Sequence, residues 1–232
     1  MSISSFYCPI DMFKYTVDKT LLPAELAEVF VEYAPDKETL DFLDDCRGHP
    51  HSKFILLLTF FLSFGLADYE IHGLLKLYPM HLLSSAQWME LIDGPKDTLL
   101  DIGAGQGFVT EKAQKTFKKI FATETSSSML KTLRKKGFVC SAQDLGTKLL
   151  PGDAKYDAIA ILNVLDRCDF PLTLLKNAAS LLKPDGLLLI ALPLPLKPYV
   201  RTNGSKRVQK QPLPTTNDMT WENQLIFFMN NF

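Results

Sequence analysis

The stretch Leu99-Leu100-Asp101-Ile102-Gly103-Ala104-Gly105-Gln106-Gly107 constrains this chain more than any other. A short apolar run ends in an acid, and glycines follow at alternate positions. The apolar run predicts a buried strand. Glycines 103, 105 and 107 let the backbone turn sharply and come close to a ligand. The helix predicted from about Phe108 turns its free amide groups back toward that turn. In open parallel sheets, ligands gather beyond the carboxyl ends of the strands. The segment therefore predicts a strand, a glycine turn and a helix, with a ligand at the tip and Asp101 beside it.

The rest of the second half repeats the alternation. Further strands are predicted at Ile120–Thr123, Phe138–Ala142, Ala158–Leu162 and Leu187–Leu192, the last fed by a Pro184-Asp185-Gly186 turn. Helices are predicted at Ser126–Lys136, with Met129, Leu130 and Leu133 inward, and at Leu172–Leu182. Apolar strands alternating with helices imply an α/β fold with a mainly parallel sheet, helices on both faces.

Residues 1–95 read as a helical N-terminal extension that covers the domain of residues 96–232. Leu22, Leu26, Val29, Phe30 and Tyr33 recur at helical spacing after Pro23. Asp36 predicts a cap for a helix carrying Leu40 and Leu43. Ser84 and Gln87 predict a capping box before Trp88, Leu91 and Ile92. The apolar run Phe54–Ala67 is shorter than the roughly 20 residues of a membrane span, so it predicts a buried helix. Residues 197–219 read as a basic loop, with Lys197, Arg201, Lys206, Arg207 and Lys210 and no acid before Asp218; Gly204, Pro212 and Pro214 argue against regular structure. A final helix places Trp221, Leu225 and Phe228 on one face.

Composition excludes several function classes. The net charge of -1 argues against a dedicated nucleic-acid binder. The cysteines, Cys8, Cys46, Cys140 and Cys168, form no CxxC pair, and no histidines stand at zinc spacing, so neither a disulfide framework nor a metal site is expected. Met1–Ile10 has no basic region before an apolar core. No secretory signal is read there, and a cytoplasmic location is expected.

A nicotinamide fingerprint, G-x-G-x-x-G, would need a third glycine at 108, where Phe108 stands. The spacing D-x-G-x-G-x-G instead resembles motif I of S-adenosylmethionine methyltransferases of the Rossmann-like, seven-strand type. A cationic sulfonium and amino group favour a nearby carboxylate. Glu124 follows the second strand and is suited to accept both ribose hydroxyls. Gln143 and Asp144 follow the third strand and are expected at the adenine edge. Asn163 and Asp166 follow the fourth, the segment that faces the methyl group in this fold. Cys168 is read as a packed small residue, since methyl transfer needs no covalent enzyme intermediate.

The segment Asn163-Val164-Leu165-Asp166-Arg167-Cys168-Asp169 before Pro171-Leu172-Thr173-Leu174-Leu175-Lys176, with LLDIGAGQGFVT ahead of it and ALPLPLKPYV behind, resembles the DREV family of methyltransferase-like proteins. The resemblance runs from about Thr20 to Trp221 and includes Ile71-His72-Gly73-Leu74-Leu75. It implies a protein-histidine N-methyltransferase acting on the pros (N1) nitrogen in His-x-His motifs with a small middle residue. It implies S-adenosylmethionine as cofactor, held by Asp101, Gly103, Gly105, Gly107, Glu124, Gln143, Asp144 and Asn163. Asp166 and Asn163 would be catalytic, and Asp166, Arg167 and Tyr199 would meet the substrate. The expected partners are protein substrates; a monomer without nucleic acid or membrane span is expected.

The chain departs from the family pattern at Gln106, where members usually carry an acid, and the apolar leader with which many animal members start is not expected at Met1–Ile10. It stops at Phe232, whereas the family continues for about fifty residues that supply the last strands; a C-terminally shortened sheet with an open edge at the fifth strand is therefore expected. A methyltransferase for another side chain or small molecule is one alternative, and a non-catalytic module retaining the fold is another. His49-Pro50-His51 is itself a His-x-His sequence, but proline is a poor middle residue, and a loop at the Gly48-Pro50 break explains it.

Overall fold

The computed structural model describes residues 17–48, 53–66, 68–75, 77, 80–202, 205–216 and 220–231. The sequence His49-Pro50-His51 and Cys8 lie outside them. Two compact units emerge, one containing residues 33–213 and the other the two flanking segments.

The larger unit is built on five strands, β1 (Lys96–Ile102), β2 (Phe117–Thr123), β3 (Val139–Ser141), β4 (Tyr156–Leu162) and β5 (Leu182–Ala191). They pair in the order β3-β2-β1-β4-β5, and all neighbours are parallel. The order reverses at β1, between β2 and β4, so a crevice opens at the end of β1, where the glycine turn lies. This is the Rossmann-like α/β arrangement expected from the alternation.

Strand residues point alternately to the two faces, and both faces of the central strands are covered. Leu100, Ile102, Ile159 and Ile161 pack with Leu174, Ala178 and Leu181 of helix α8 (Pro171–Leu181), the eighth along the chain. Leu99, Ala158 and Ala160 pack on the other side with Trp88, Ile92, Ala113 and Phe117. Such double burial is why the strand centres, Leu99-Leu100 of β1 and Ala158–Leu162 of β4, read as apolar. Truncating one of these leucines or isoleucines to alanine costs about 2–5 kcal/mol. The edge strand β5 is less covered: Leu187, Leu188 and Ile190 are each more than a third exposed.

Helices precede the sheet. Helix α1 (Ala24–Val29) belongs to the smaller unit, with α9 (Trp221–Asn231). There the Asp18 N–H donates to Glu222 Oε1 at 2.9 Å, and Phe30 meets Trp221 edge-on at 6.1 Å. The predicted helical spacing ran on to Tyr33, but α1 stops at Val29 and Phe30 is extended. Helix α2 (Lys37–Gly48) starts as expected, with Asp36 Oδ1 accepting the Thr39 N–H at 2.9 Å. Helices α3 (Lys53–Leu62), α4 (Asp68–Leu75) and α5 (Ser85–Leu91) follow. Ser84 and Gln87 form the reciprocal capping box of α5. Trp88 and Ile92 are buried, while Leu91 is exposed.

Three other expectations are corrected. The apolar run at 54–67 is not a buried helix. Ile55, Leu58, Thr59 and Leu62 form a half-buried stripe, but Phe54, Phe60, Phe61 and Phe64 are between 58% and 76% exposed. A helix apolar on every side can bury only the stripe that its neighbours reach. The Pro184-Asp185-Gly186 turn lies inside β5 as a bulge: Tyr156 pairs with Leu182 and Ala158 with Leu187, and Asp185 takes a positive φ of 61°. The helix expected from about Phe108 is present as α6 (Phe108–Lys112), and α7 (Ser127–Lys135) follows β2. The basic segment is not all loop. An antiparallel hairpin forms from β6 (Val200–Thr202) and β7 (Ser205–Arg207), so the prolines at 212 and 214 end regular structure only after it. Among the described residues no helix is long and apolar enough to cross a membrane.

Candidate active site

Asp101 ends β1 almost fully buried, at 3% exposure. Thr110 of α6 donates to its Oδ2 at 2.6 Å. Burial raises the carboxyl to about 6, opposed by the Thr110 hydrogen bond and aided by the nearby charge of Glu124. The turn that follows is tied to β2, since the amides of Gly103 and Ala104 both donate to the Thr123 carbonyl at 2.9 and 3.0 Å.

The three glycines do different things. Gly103 has φ +73° and would drive a Cβ to 2.6 Å from Val164 Cγ2, so it admits the segment after β4. Gly105 has φ +58°, and a Cβ there would meet only Met129 Sδ at 4.0 Å, leaving space at the cleft for a ligand. Gly107 caps α6 at φ +79°; its missing Cβ makes room for Leu133 and Phe138 of the α7 layer.

A cleft opens beside this turn. Asp101, Gly103, Gly105 and Asn163 line it, with His72 of α4 and Met129 of α7. Asn163 follows β4 with φ +57°, and its N–H donates to the Ala191 carbonyl of β5 at 2.9 Å. Glu124 reaches the cleft through the backbone: Oε2 accepts the Gly105 N–H at 2.9 Å and Oε1 accepts the Ser126 N–H at 2.8 Å. Each carboxylate oxygen has a further lone pair. Gln143 and Asp144 lie in the loop after β3, where Gln143 Nε2 donates to the Lys148 carbonyl and Asp144 Oδ1 accepts the Gly146 N–H. Gly107, Glu124, Gln143, Asp144, Asp166, Arg167 and Tyr199 are outside the cleft's immediate lining.

Asp166 stands three residues beyond Asn163 and is 1% exposed. Arg167 Nε donates to its Oδ2 at 2.6 Å, while Oδ1 is buried with no hydrogen-bond partner among the described residues. The Tyr199 N–H donates to the Asp166 carbonyl at 2.9 Å, and the Arg167 guanidinium lies 4.0 Å from the Tyr199 ring centre. The three residues singled out for substrate are thus neighbours. Cys168 is half-buried, and burial first, then the charge of Asp144, pushes its thiol up to about 12, which disfavours the thiolate.

Several contributors carried no signal in sequence. Thr110 holds Asp101, and Gln209 Nε2 holds the carbonyls of Leu165 and Cys168 at 2.6 and 2.7 Å. Gln106, marked only as a departure from a family pattern, is buried. Its Nε2 donates to the carbonyls of His72 and Leu77 at 3.2 and 3.4 Å, tying the end of α4 to the glycine turn. Its Oε1 is buried without a partner among the described residues.

A sequence profile of the DREV methyltransferase family matches residues 14–232, and the chain belongs to that family. Among solved structures it is similar to the N-methyltransferase NodS from Bradyrhizobium japonicum WM9 in complex with S-adenosylhomocysteine, at 21% identity over 46% of this chain and 58% of that one, TM-score 0.41. It is similar to DhpI in its SAM-HEP complex at 16% identity, covering 60% of this chain and 67% of that one, TM-score 0.42. DesVI from Streptomyces venezuelae matches at 19% identity over 63% and 60%, TM-score 0.40. The chain thus spans less than two thirds of the length of NodS. The cofactor of the family is S-adenosylmethionine, and the cleft suits it. A buried carboxylate and an unpartnered amide oxygen, Gln106 Oε1, offer acceptors for a cationic amino group, and Gly105 leaves the close approach open.

Proposed function

We propose that this member of the DREV family is a protein methyltransferase that modifies the pros (N1) nitrogen of histidine in His-x-His sequences. The reading rests above all on one atom, Asp166 Oδ1. It is a buried carboxylate oxygen without a hydrogen-bond partner among the described residues. A buried acceptor left unpaired costs about 1–3 kcal/mol, more when charged, so it is suited to a donor that arrives with the substrate. An imidazole supplies one N–H and one lone pair on opposite sides of the same ring.

Bound S-adenosylmethionine supplies an electrophilic methyl group and leaves as the neutral thioether. The chain's own residues do the rest. Asp166 accepts the tele N–H of the acceptor ring, which fixes the tautomer with its lone pair on the pros nitrogen. A histidine of ordinary pKa, about 6.5, is mostly neutral at pH 7, so no strong base is required. Transfer of that methyl group to the pros nitrogen would leave positive charge spread over the ring. The Asp166 carboxylate faces that charge, and the ring proton passes to solvent after release. Arg167 holds the carboxylate in place through its other oxygen. Asn163, in the cleft lining three residues earlier, sets the distance between the acceptor and the methyl group. Tyr199 and Arg167 flank the approach, and the segment around His72 covers the cofactor.

The test uses the purified chain with labelled S-adenosylmethionine and a His-Ala-His peptide. Label should enter the peptide as pros-methylhistidine. Asp166→Ala should lower the rate by about a hundredfold or more while S-adenosylhomocysteine still binds. Cofactor binding without transfer to the peptide would refute the histidine reading.

A further inference from the structure

We propose that the hairpin face of this chain is a docking surface for an acidic stretch of polypeptide. The proposal rests on the protein-methyltransferase reading above and adds the charge of the sequence that the enzyme engages.

Residues 197–213 contain Lys197, Arg201, Lys206, Arg207 and Lys210 and no acid, in a chain whose net charge is only -1. Strand pairing sets Arg201 opposite Lys206, and Arg207 and Lys210 both act on Asp169. The hairpin segment is bonded to the turn that carries Asp166. Tyr199 N–H donates to the Asp166 carbonyl at 2.9 Å, Gln211 N–H to the Asp169 carbonyl at 2.8 Å, and the Gln209 amide to Leu165 and Cys168. Gln211 Oε1 in turn accepts from Thr173 at the start of α8. The basic segment is therefore fixed against the turn proposed to hold the acceptor.

Local acids offset part of this charge. Arg207 clasps Asp169 through both carboxylate oxygens, at 2.6 and 2.7 Å, and Arg167 holds Asp166. Asp144 lies close enough to act on the Cys168 thiol. Asp169 thus meets Arg207 and also feels the charge of Lys210, while Asp166 meets Arg167. Lys197, Lys206 and Lys210 are exposed. Two of them are already oriented: Lys206 Nζ lies 4.2 Å from the Tyr199 ring centre and Lys210 Nζ lies 5.3 Å from that of Phe170. A lysine whose stem rests on an aromatic face loses less freedom when it meets a carboxylate.

The same contacts disfavour nucleic acid as the partner. Single strands are held by stacking bases on open aromatic faces. Here Tyr199 carries Arg167 and Lys206 at 4.0 and 4.2 Å, and Phe170 carries Lys210. The fixed cations fit a chain of carboxylates near the acceptor histidine, and their reach in solution is about 8–10 Å, a few residues of extended peptide.

Fluorescence anisotropy on the full chain tests this. The probe is a labelled peptide of alternating glutamate and glycine without histidine, compared with its glutamine counterpart. The glutamate peptide should bind about tenfold tighter at low salt, and the advantage should shrink as salt is raised. Joint Lys197→Glu, Lys206→Glu and Lys210→Glu replacement should abolish that advantage and leave S-adenosylhomocysteine binding and melting temperature unchanged. A milder Lys197→Gln, Lys210→Gln pair should reduce it in part. Equal binding of the two peptides, or an advantage that survives charge reversal, would overturn the proposal. Tighter binding of an oligouridine or of phosphatidylserine vesicles than of the glutamate peptide would overturn it too. The probe contains no histidine and no methyl transfer is read, so its failure is distinct from failure of the histidine reading.

Discussion

Replacing Asp101 by asparagine removes a charge that the fold keeps in an unfavourable place. The side chain is 3% exposed, receives one hydrogen bond from Thr110 and lies near Glu124. Burial raises its carboxyl to about 6. An acid with that value is about nine-tenths ionised at pH 7 and about one-tenth ionised at pH 5. The cofactor's amino group, with an ordinary pKa of about 8, stays cationic throughout this window. If the ionised carboxylate holds that group, S-adenosylhomocysteine should bind about tenfold more weakly at pH 5 than at pH 7. Asp101→Asn keeps an oxygen for Thr110 but has no charge. Its affinity at pH 7 should fall by about 2 kcal/mol, about thirtyfold, and should lose the slope between pH 5 and 7. Isothermal titration at several pH values measures both. His72 also lines the cleft. An asparagine variant that retained the wild-type slope would move the titration away from Asp101 and refute the reasoning.

The same residue sets a stability slope. Its folded pKa is raised above the unfolded value of 3.8, so its stabilising contribution is full below pH 4 and is lost as pH rises through about 6. Asp101→Asn should therefore be more stable than the parent above pH 7, by up to about 3 kcal/mol from the size of the shift, in denaturant titrations. Gly103→Ala should destabilise the apo protein by about 1–3 kcal/mol, because its φ is +73° and the new methyl would lie 2.6 Å from Val164; unchanged melting would contradict this. Gln106→Leu should cost about 1–2 kcal/mol by removing the donor to the Leu77 carbonyl and one of the donors to the His72 carbonyl, which keeps the Leu77 N–H, and hydrogen exchange should rise in α4 before it rises in the sheet. With iodoacetamide at pH 7, exposed Cys46 should label long before Cys168, whose thiol lies near 12; comparable rates would contradict its burial.

Features that depend on local chemistry were legible from the residues alone. Strand β1 and its glycine turn were legible because burial on both faces favours apolar residues such as Leu99, Leu100 and Ile102 and a positive φ favours glycine. The capping box at Ser84 and the cap at Asp36 were legible because each is a bond across three residues. Asp101, Gly103, Gly105 and Asn163 could be named because sheet topology delivers strand ends to one crevice. Tertiary structure alone decided what lies far apart in the chain. The apolar run at 54–67 reads the same whether its neighbours cover one stripe of it or all of it, and they cover one. The β5 bulge depends on how Leu187 pairs with Ala158 across the sheet. The orphaned oxygens of Gln106 and Asp166, the Thr110 bond to Asp101 and the cations gathered at Tyr199 depend on which groups meet in space. Periodicity records the face a residue occupies; it does not record the partner that waits there.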